Sequence, residues 1–233
     1  MLIVGATGYV GRHVVADACR QGHEVVAHVR PGSPSGPGDR AAAQLVAMGA
    51  RVVRTAWVPE AWVHLLESEQ PERVFLLLGT TKAREKSARS SGGPDVSQRA
   101  VDLGLTTLVI GATRVASPDT GLVYLSALGA SATGNAYLRV RATVEAALVS
   151  GPNPFTVVRP SFITGPDREE ARPVERVGAM AGDALCALLR LVGARGPASR
   201  LASITGADLA RILVELASGP LDRRVHALDD FRH

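Results

Sequence analysis

The sequence predicts an α/β fold: a doubly wound, largely parallel sheet with helices on both faces, in a single domain spanning 1–233. Three observations predict it. Short apolar runs of strand length alternate with stretches of helical periodicity along the 233 residues. The first run, Met1-Leu-Ile-Val4, passes directly into the glycine-rich turn Gly5-Ala-Thr-Gly8-Tyr-Val-Gly11, which opens a helical pattern from Tyr9 to Gln21. The length suits one sizeable core, and no internal repeat or composition break divides it.

The remaining elements follow in order. Gly22–Arg30 reads as a second strand, and Pro31–Gly38, rich in Pro, Gly and Ser, as a flexible loop. A helix covers Asp39–Met48, a third strand Arg51–Arg54, a helix Glu60–Glu69 and a buried fourth strand Val74–Leu78. Gly79–Gly93 is polar and loop-like, and Asp95–Ala116 reads as one long helix. Leu122–Ser126 is the fifth strand, Asn135 caps a helix running to about Val149, and Phe155–Arg159 is the sixth strand. Two further helices, about Val174–Leu191 and Gly206–Ala217, precede a short last strand at Val225–Leu228. Residues 161–233 are expected to contribute a small substrate-side cap.

A strand, a glycine turn and a helix in that order build a phosphate site of the Rossmann-like kind. The glycines let the backbone turn tightly and come close to a pyrophosphate, and the helix N-terminus offers N–H groups and the positive end of its dipole. The spacing GxxGxxG is one residue longer than GxGxxG, and the motif alone is weak; its position after a strand and before a helix gives it weight. Gly5, Thr7, Gly8, Tyr9, Val10, Gly11 and Arg12 are the expected contributors. NAD sites carry an acidic residue about 20 residues beyond the glycines; here the second strand ends in Arg30, which with Arg12 suits a 2′-phosphate, so NADP(H) is expected over NAD(H). The alternative is that both arginines are simply solvated.

Net charge is +4, yet of 26 basic residues only Lys82 and Lys86 are lysines, the rest being scattered arginines. No basic run interleaves with aromatics, which argues against a nucleic-acid partner. The N-terminal apolar run breaks at Gly5 and no stretch reaches the roughly 18 apolar residues of a membrane span, so no signal peptide, no membrane partner and a cytoplasmic location are expected. Cys19 and Cys186 read as buried thiols, and the histidines show no metal-ligand spacing. Trp57 and Trp62 read as packing residues, and Asp167–Glu170 as either a substrate lid or a solvated loop.

Ser126 ends the fifth strand, Tyr137 lies on the following helix, and Arg141 stands at i+4 from it, on the same face. Together with Leu78-Gly-Thr-Thr-Lys82, Val123–Ala130, Tyr137–Glu145 and Val158-Arg-Pro-Ser161, the chain resembles the short-chain dehydrogenase/reductase superfamily. The likeness is to its atypical, NmrA-like members, the Tat-interacting oxidoreductase branch in particular, and it spans most of the chain to about Gly165. The resemblance implies that Tyr137 is a general acid towards a substrate carbonyl, that Ser126 hydrogen-bonds the same oxygen, and that Gly79, Thr80, Thr81, Pro160 and Ser161 border the cofactor. A lysine four residues after the tyrosine would lower the phenol's pKa from its ordinary value of about 10 and hold the nicotinamide ribose. Here that position is Arg141, a cation that does not readily release a proton, which reflects either drift in residue usage or weakened catalysis. Ala56 stands where related proteins carry an aspartate near the adenine.

Bland readings remain: Arg141 and Glu145 as an ordinary i, i+4 surface pair, and Ser126 as a strand-end turn residue. Two functions compete. One is an NADPH-dependent reductase of a small carbonyl or quinone-like compound; the other is a non-catalytic NADPH-binding regulator or redox sensor. Substrate identity and the choice between monomer and dimer are left open.

Overall fold

The computed structural model describes residues 1–31, 37–80, 97–165 and 203–231, with Ser90 and Asp95 between them. Seven strands form one sheet: β1 (Leu2–Val4), β2 (Val26–His28), β3 (Arg51–Val53), β4 (Arg73–Leu76), β5 (Gly121–Leu125), β6 (Phe155–Arg159) and β9 (Arg224–Ala227). Their order is β3-β2-β1-β4-β5-β6-β9, and every pairing is parallel. A separate parallel ladder joins β7 (Ile163–Thr164) to β8 (Ile204–Thr205).

The strand sequences explain why both faces are covered. Successive side chains on a strand point to opposite faces, and these strands are apolar at nearly every position. Ile3, Ala27, Phe75, Val123 and Val158 pack on one side against α1 (Tyr9–Arg20), α2 (Pro37–Ala47) and α6 (Gly206–Ser218). Their neighbours Leu2, Val4, Val74, Leu76, Leu122, Tyr124, Phe155 and Val157 pack on the other against α3 (Pro59–Glu69), α4 (Thr106–Ala116) and α5 (Ala136–Val149). Each fully buried large side chain contributes about 1.5–3 kcal/mol of transfer free energy.

Because the sheet is parallel, all C-terminal strand ends lie along one edge. Chain direction across the sheet reverses between β1 and β4, which opens a crevice at that edge. Asn135 caps α5 as expected, its Oδ1 accepting the Leu138 N–H at 3.0 Å. The expected long helix Asp95–Ala116 instead begins with a π-helical turn, Arg99–Leu105, that carries Asp102 on its buried side before α4 starts. A widened turn has no signature in an apolar periodicity. Nor does the two-residue ladder β7/β8, which the sequence does not reveal. Helix α2 starts at Pro37, inside the expected loop, since proline suits a first helical turn.

Helix α6 and β9 belong to the main layers, while β7 and β8 pair with each other in a ladder of their own. The N-terminal helix is tied to that region: the Tyr9 hydroxyl donates to Thr164 O at 3.1 Å, and a Cβ at Gly206 would lie 2.6 Å from the Tyr9 ring. Cys19 is half-buried rather than buried, with a free thiol that burial pushes up in pKa. Cys186 and the expected helix Val174–Leu191 lie outside the described residues. No described helix is long and apolar enough to cross a membrane.

The tryptophans pack, as read. Trp57 and Trp62 stack at 5.0 Å between centroids, and His28 lies against both. Burial drives the His28 imidazole down to about 4, opposed by its contact with Thr55 O. Between pH 6.5 and 4 the unfolded chain therefore binds a proton that the folded chain does not. Stability is full above that window and is lost as pH falls through it, by about 3 kcal/mol for this group. Thermal melts from pH 7 to 4 should show His28→Phe losing less stability on acidification than the parent; equal slopes would show that His28 is not the group responsible.

Candidate active site

The glycine turn has the geometry its sequence requires. Gly5 adopts φ +92°, and a Cβ there would lie 2.7 Å from Leu77 O at the end of β4. A Cβ on Gly11 would come within 2.1 Å of Gly5 O, so Gly11 lets α1 pack directly on the turn. Thr7 and Gly8 are exposed at the mouth of the crevice. Gly8 is the N-cap of α1 with no side-chain cap and no acidic residue in the first turn, which leaves the helix's positive end facing outward. These residues fit a dinucleotide pyrophosphate: the backbone is bare, tightly turned and electropositive.

The flanking residues divide. Val10 is buried in the core and Tyr9 is committed to Thr164, so either serves a ligand through its backbone. Arg12 lies over the Tyr9 ring, 5.3 Å from its centroid. Arg30 is exposed beyond the C-terminal end of β2, which runs in register with β1. Gly79 is exposed and Thr80 buried, both following β4 across the crevice. Pro160 is buried and its carbonyl accepts the Leu128 N–H at 2.8 Å, while Ser161 is half-buried beside it. Thr81, Lys82 and Asp167–Glu170 lie outside the described residues.

Helix α5 supplies the polar side of the site. Tyr137, Arg141 and Glu145 repeat at i, i+4, i+8 along one stripe. Tyr137 is half-buried in the first turn, with the Arg141 guanidinium carbon 5.1 Å from its ring centroid. Arg141 and Glu145 are both 6 % exposed and do not form the surface pair that their spacing suggests. Arg141 Nη2 donates to Asp102 Oδ1 at 2.6 Å, and its Nη1 donates to Leu125 O at 3.0 Å, Tyr124 OH at 3.2 Å and Leu78 O at 3.4 Å. Burial pushes Asp102 up, against the pull of Arg141 and of the Thr80 amide. Burial likewise pushes the Tyr124 phenol up to about 12, with Arg141 acting against it.

Ser126 directly follows β5, and its N–H donates to Val158 O of β6 at 2.9 Å. Its hydroxyl donates to Glu145 Oε1 at 2.5 Å, and Arg159 grips the same carboxylate through Nε at 2.9 Å and Nη2 at 2.5 Å. A hydroxyl has one proton, and here it points at Glu145. Four residues of this polar layer escaped sequence reasoning as members of the site: Asp102, Tyr124, Glu145 and Arg159. A lone acid among apolar neighbours, Val101-Asp102-Leu103, was the one local signal of the first. Among the described residues no group of His, Cys, Asp and Glu is arranged to hold a metal.

The tight Gly11 contact gives a direct test of the turn. Gly11→Ala should destabilise the protein by about 1–3 kcal/mol in urea denaturation and weaken dinucleotide binding. Unchanged stability would mean that α1 does not pack as closely as described.

Comparisons with known proteins bear on the fold and the family. A curated relative, the isoflavone reductase homolog IRL of Zea mays, is 57 % identical over 37 residues, a match covering 16 % of this chain and 12 % of that protein. Among solved structures, the anaerobillin reductase ChuY of Escherichia coli O157:H7 superposes with a TM-score of 0.60 at 16 % identity, covering 96 % of this chain and 93 % of that one. MoeE5 in complex with UDP-glucose and NAD gives 0.62 at 15 % identity, covering 98 % and 78 %. An oxidoreductase of the short-chain dehydrogenase/reductase family from Burkholderia thailandensis gives 0.59 at 18 % identity, covering 93 % and 84 %. At such identities these likenesses show a shared Rossmann-like fold. The family model for the NAD dependent epimerase/dehydratase family matches residues 1–185, and the chain belongs to that family.

Proposed function

We propose that this protein is an NADPH-dependent reductase of a small carbonyl or quinone-like compound. The observation that carries the reading is the placement of Tyr137, half-buried over the Arg141 cation, at the strand edge that also carries the bare glycine turn. The reductase descriptions of ChuY and of the maize relative point the same way. Gly5, Thr7, Gly8 and Gly11, with the backbone of Tyr9 and Val10, would hold the pyrophosphate; Arg12 and Arg30 would meet a 2′-phosphate; Gly79, Thr80, Pro160 and Ser161 would border the nicotinamide half. When bound, the reduced nicotinamide supplies a hydride.

Tyr137 gives its phenolic proton to the substrate oxygen as negative charge builds there. Arg141 lies against the Tyr137 ring and holds it in place over the crevice. Ser126 orients the same oxygen by turning its single proton from Glu145 towards it, while the Arg159 fork keeps the Glu145 carboxylate in place. With a panel of ketones and quinones, Tyr137→Phe should lower kcat by roughly 100-fold or more and leave NADPH affinity nearly intact. Full activity in that variant would remove the proposal. Arg30→Ala should weaken NADPH roughly 10-fold or more, and NADH far less, since one charge-assisted pair is lost. Equal losses would remove the 2′-phosphate assignment.

A second reading is supported by the same polar layer. The Ser126 proton rests on Glu145, and both terminal nitrogens of Arg141 are already bonded. A non-catalytic NADPH-binding regulator would bind the cofactor tightly, oxidise none of it with any carbonyl or quinone offered, and change the protection of β7 and β8 on binding.

A further inference from the structure

We propose that Asp102 and Arg141 form a buried brace that holds the backbone of Leu78–Thr80, just after β4, in its cofactor-facing conformation, with Arg141 acting there as a positioning residue. The affinity arm of the proposal rests on the reading of the crevice as a dinucleotide site; the geometric arm does not. Arg141 grips the chain on both sides of Gly79. Its Nη1 reaches Leu78 O directly, and its Nη2 reaches Thr80 through Asp102, whose second oxygen accepts the Thr80 N–H at 2.9 Å. A Cβ on Gly79 would lie 3.4 Å from Arg141 Nη2 and 3.8 Å from Asp102 Oδ1, so the ion pair lies directly against the exposed glycine. The same Nη1 ties the guanidinium to the sheet through Leu125 O and the Tyr124 hydroxyl.

This pair is out of water: the Asp102 side chain is 0 % exposed and that of Arg141 7 %. Burying two charges costs more than their attraction returns unless further hydrogen bonds offset the loss; a backbone amide, a phenol and two carbonyls supply such bonds here, while Arg141 Nε is buried without a partner. Such an arrangement is suited to fixing a conformation more than to adding stability. It also depends on a planar fork. Nη1 shares its two protons among Leu78 O, the Tyr124 hydroxyl and Leu125 O, while Nη2 donates to Asp102 Oδ1 on the other arm. A lysine ammonium is one point with three protons and does not span them. If Arg141 were an interchangeable substitute for a lysine, Arg141→Lys would be harmless; for the brace it is disruptive.

The test is amide hydrogen exchange on the ligand-free protein, with NADPH titration by nicotinamide fluorescence alongside. The variants are Arg141→Lys, Asp102→Asn and the double. The expected result is at least tenfold faster exchange at Thr80 in each single variant, with the Leu77 amide, bonded to Val4 O inside the sheet, unchanged. The double variant should be no worse than the worse single, and NADPH affinity should fall at least fivefold in each. Wild-type exchange at Thr80 in Arg141→Lys overturns the brace. Loosening of Leu77 together with Thr80 overturns the positioning role in favour of general destabilisation, and so does unchanged NADPH affinity when Thr80 responds. If Arg141→Lys does not fold, the near-isosteric Asp102→Asn decides by the same readings. A wild-type protein that binds no NADPH while Thr80 responds removes the dinucleotide reading and leaves the brace standing.

Discussion

The contact on which the rest of the molecule depends is the approach of Gly11 to the carbonyl of Gly5. Only two residues without Cβ atoms let α1 sit directly on the turn that ends β1. That closeness sets the height of α1 over the sheet, and with it the packing of Val10, Val14 and Ala18 on Ile3 and Phe75. It also leaves the N-terminus of α1 bare at the point where the strand order reverses. Packing of the helix and an uncovered helix N-terminus therefore impose the same demand on the same residues. Gly5 serves both at once, since its positive φ turns the chain and its missing side chain clears Leu77 O.

Across the crevice the constraint is electrostatic. Helix α5 is unusual among the helices here in burying charged residues of both signs, Arg141 and Glu145, on the face that meets the sheet. Neither satisfies the other. Arg141 is matched with Asp102 and Glu145 with Arg159, so charge is balanced between elements and not along the helix. The outcome is a polar layer joining the ends of β4, β5 and β6, with Tyr137 at its outer margin. Such a layer fixes side-chain directions more tightly than an apolar one, because each misplaced group loses a hydrogen bond in a low-dielectric setting.

What was legible in the sequence was local. The glycine turn, the Asn135 cap and the strand Phe155–Arg159 each declare themselves within a few residues, and the structure places them at the same bounds. Alternation of strands and helices was enough for the doubly wound sheet. The site's polar partnerships were not legible, because they are set by distance in the chain. Asp102 meets Thr80 and Arg141 across 22 and 39 residues. Ser126 and Glu145 stand 19 apart and lie on different elements. Their spacing invited the i, i+4 reading of Arg141 and Glu145, and burial redirected both. The resemblance to known reductases brought Ser126, Tyr137 and Arg141 to attention as chemistry; it carried no information about which hydrogen bonds they make at rest.

The bond from the Tyr9 hydroxyl to Thr164, and the rings of Tyr9 and His13 pressed against Gly206, join the first helix to segments more than 150 residues later. Helix α6 covers the same face as α1, and β9 then completes the sheet beside β6. The two ends of the chain are thus interleaved, and the order of assembly is constrained. The β7/β8 ladder has no surface to seat on until α1 is already in place. Synthesis delivers the glycine turn well before the segments that pack on its helix, so closure of the long loop between them is an entropic toll met late in folding.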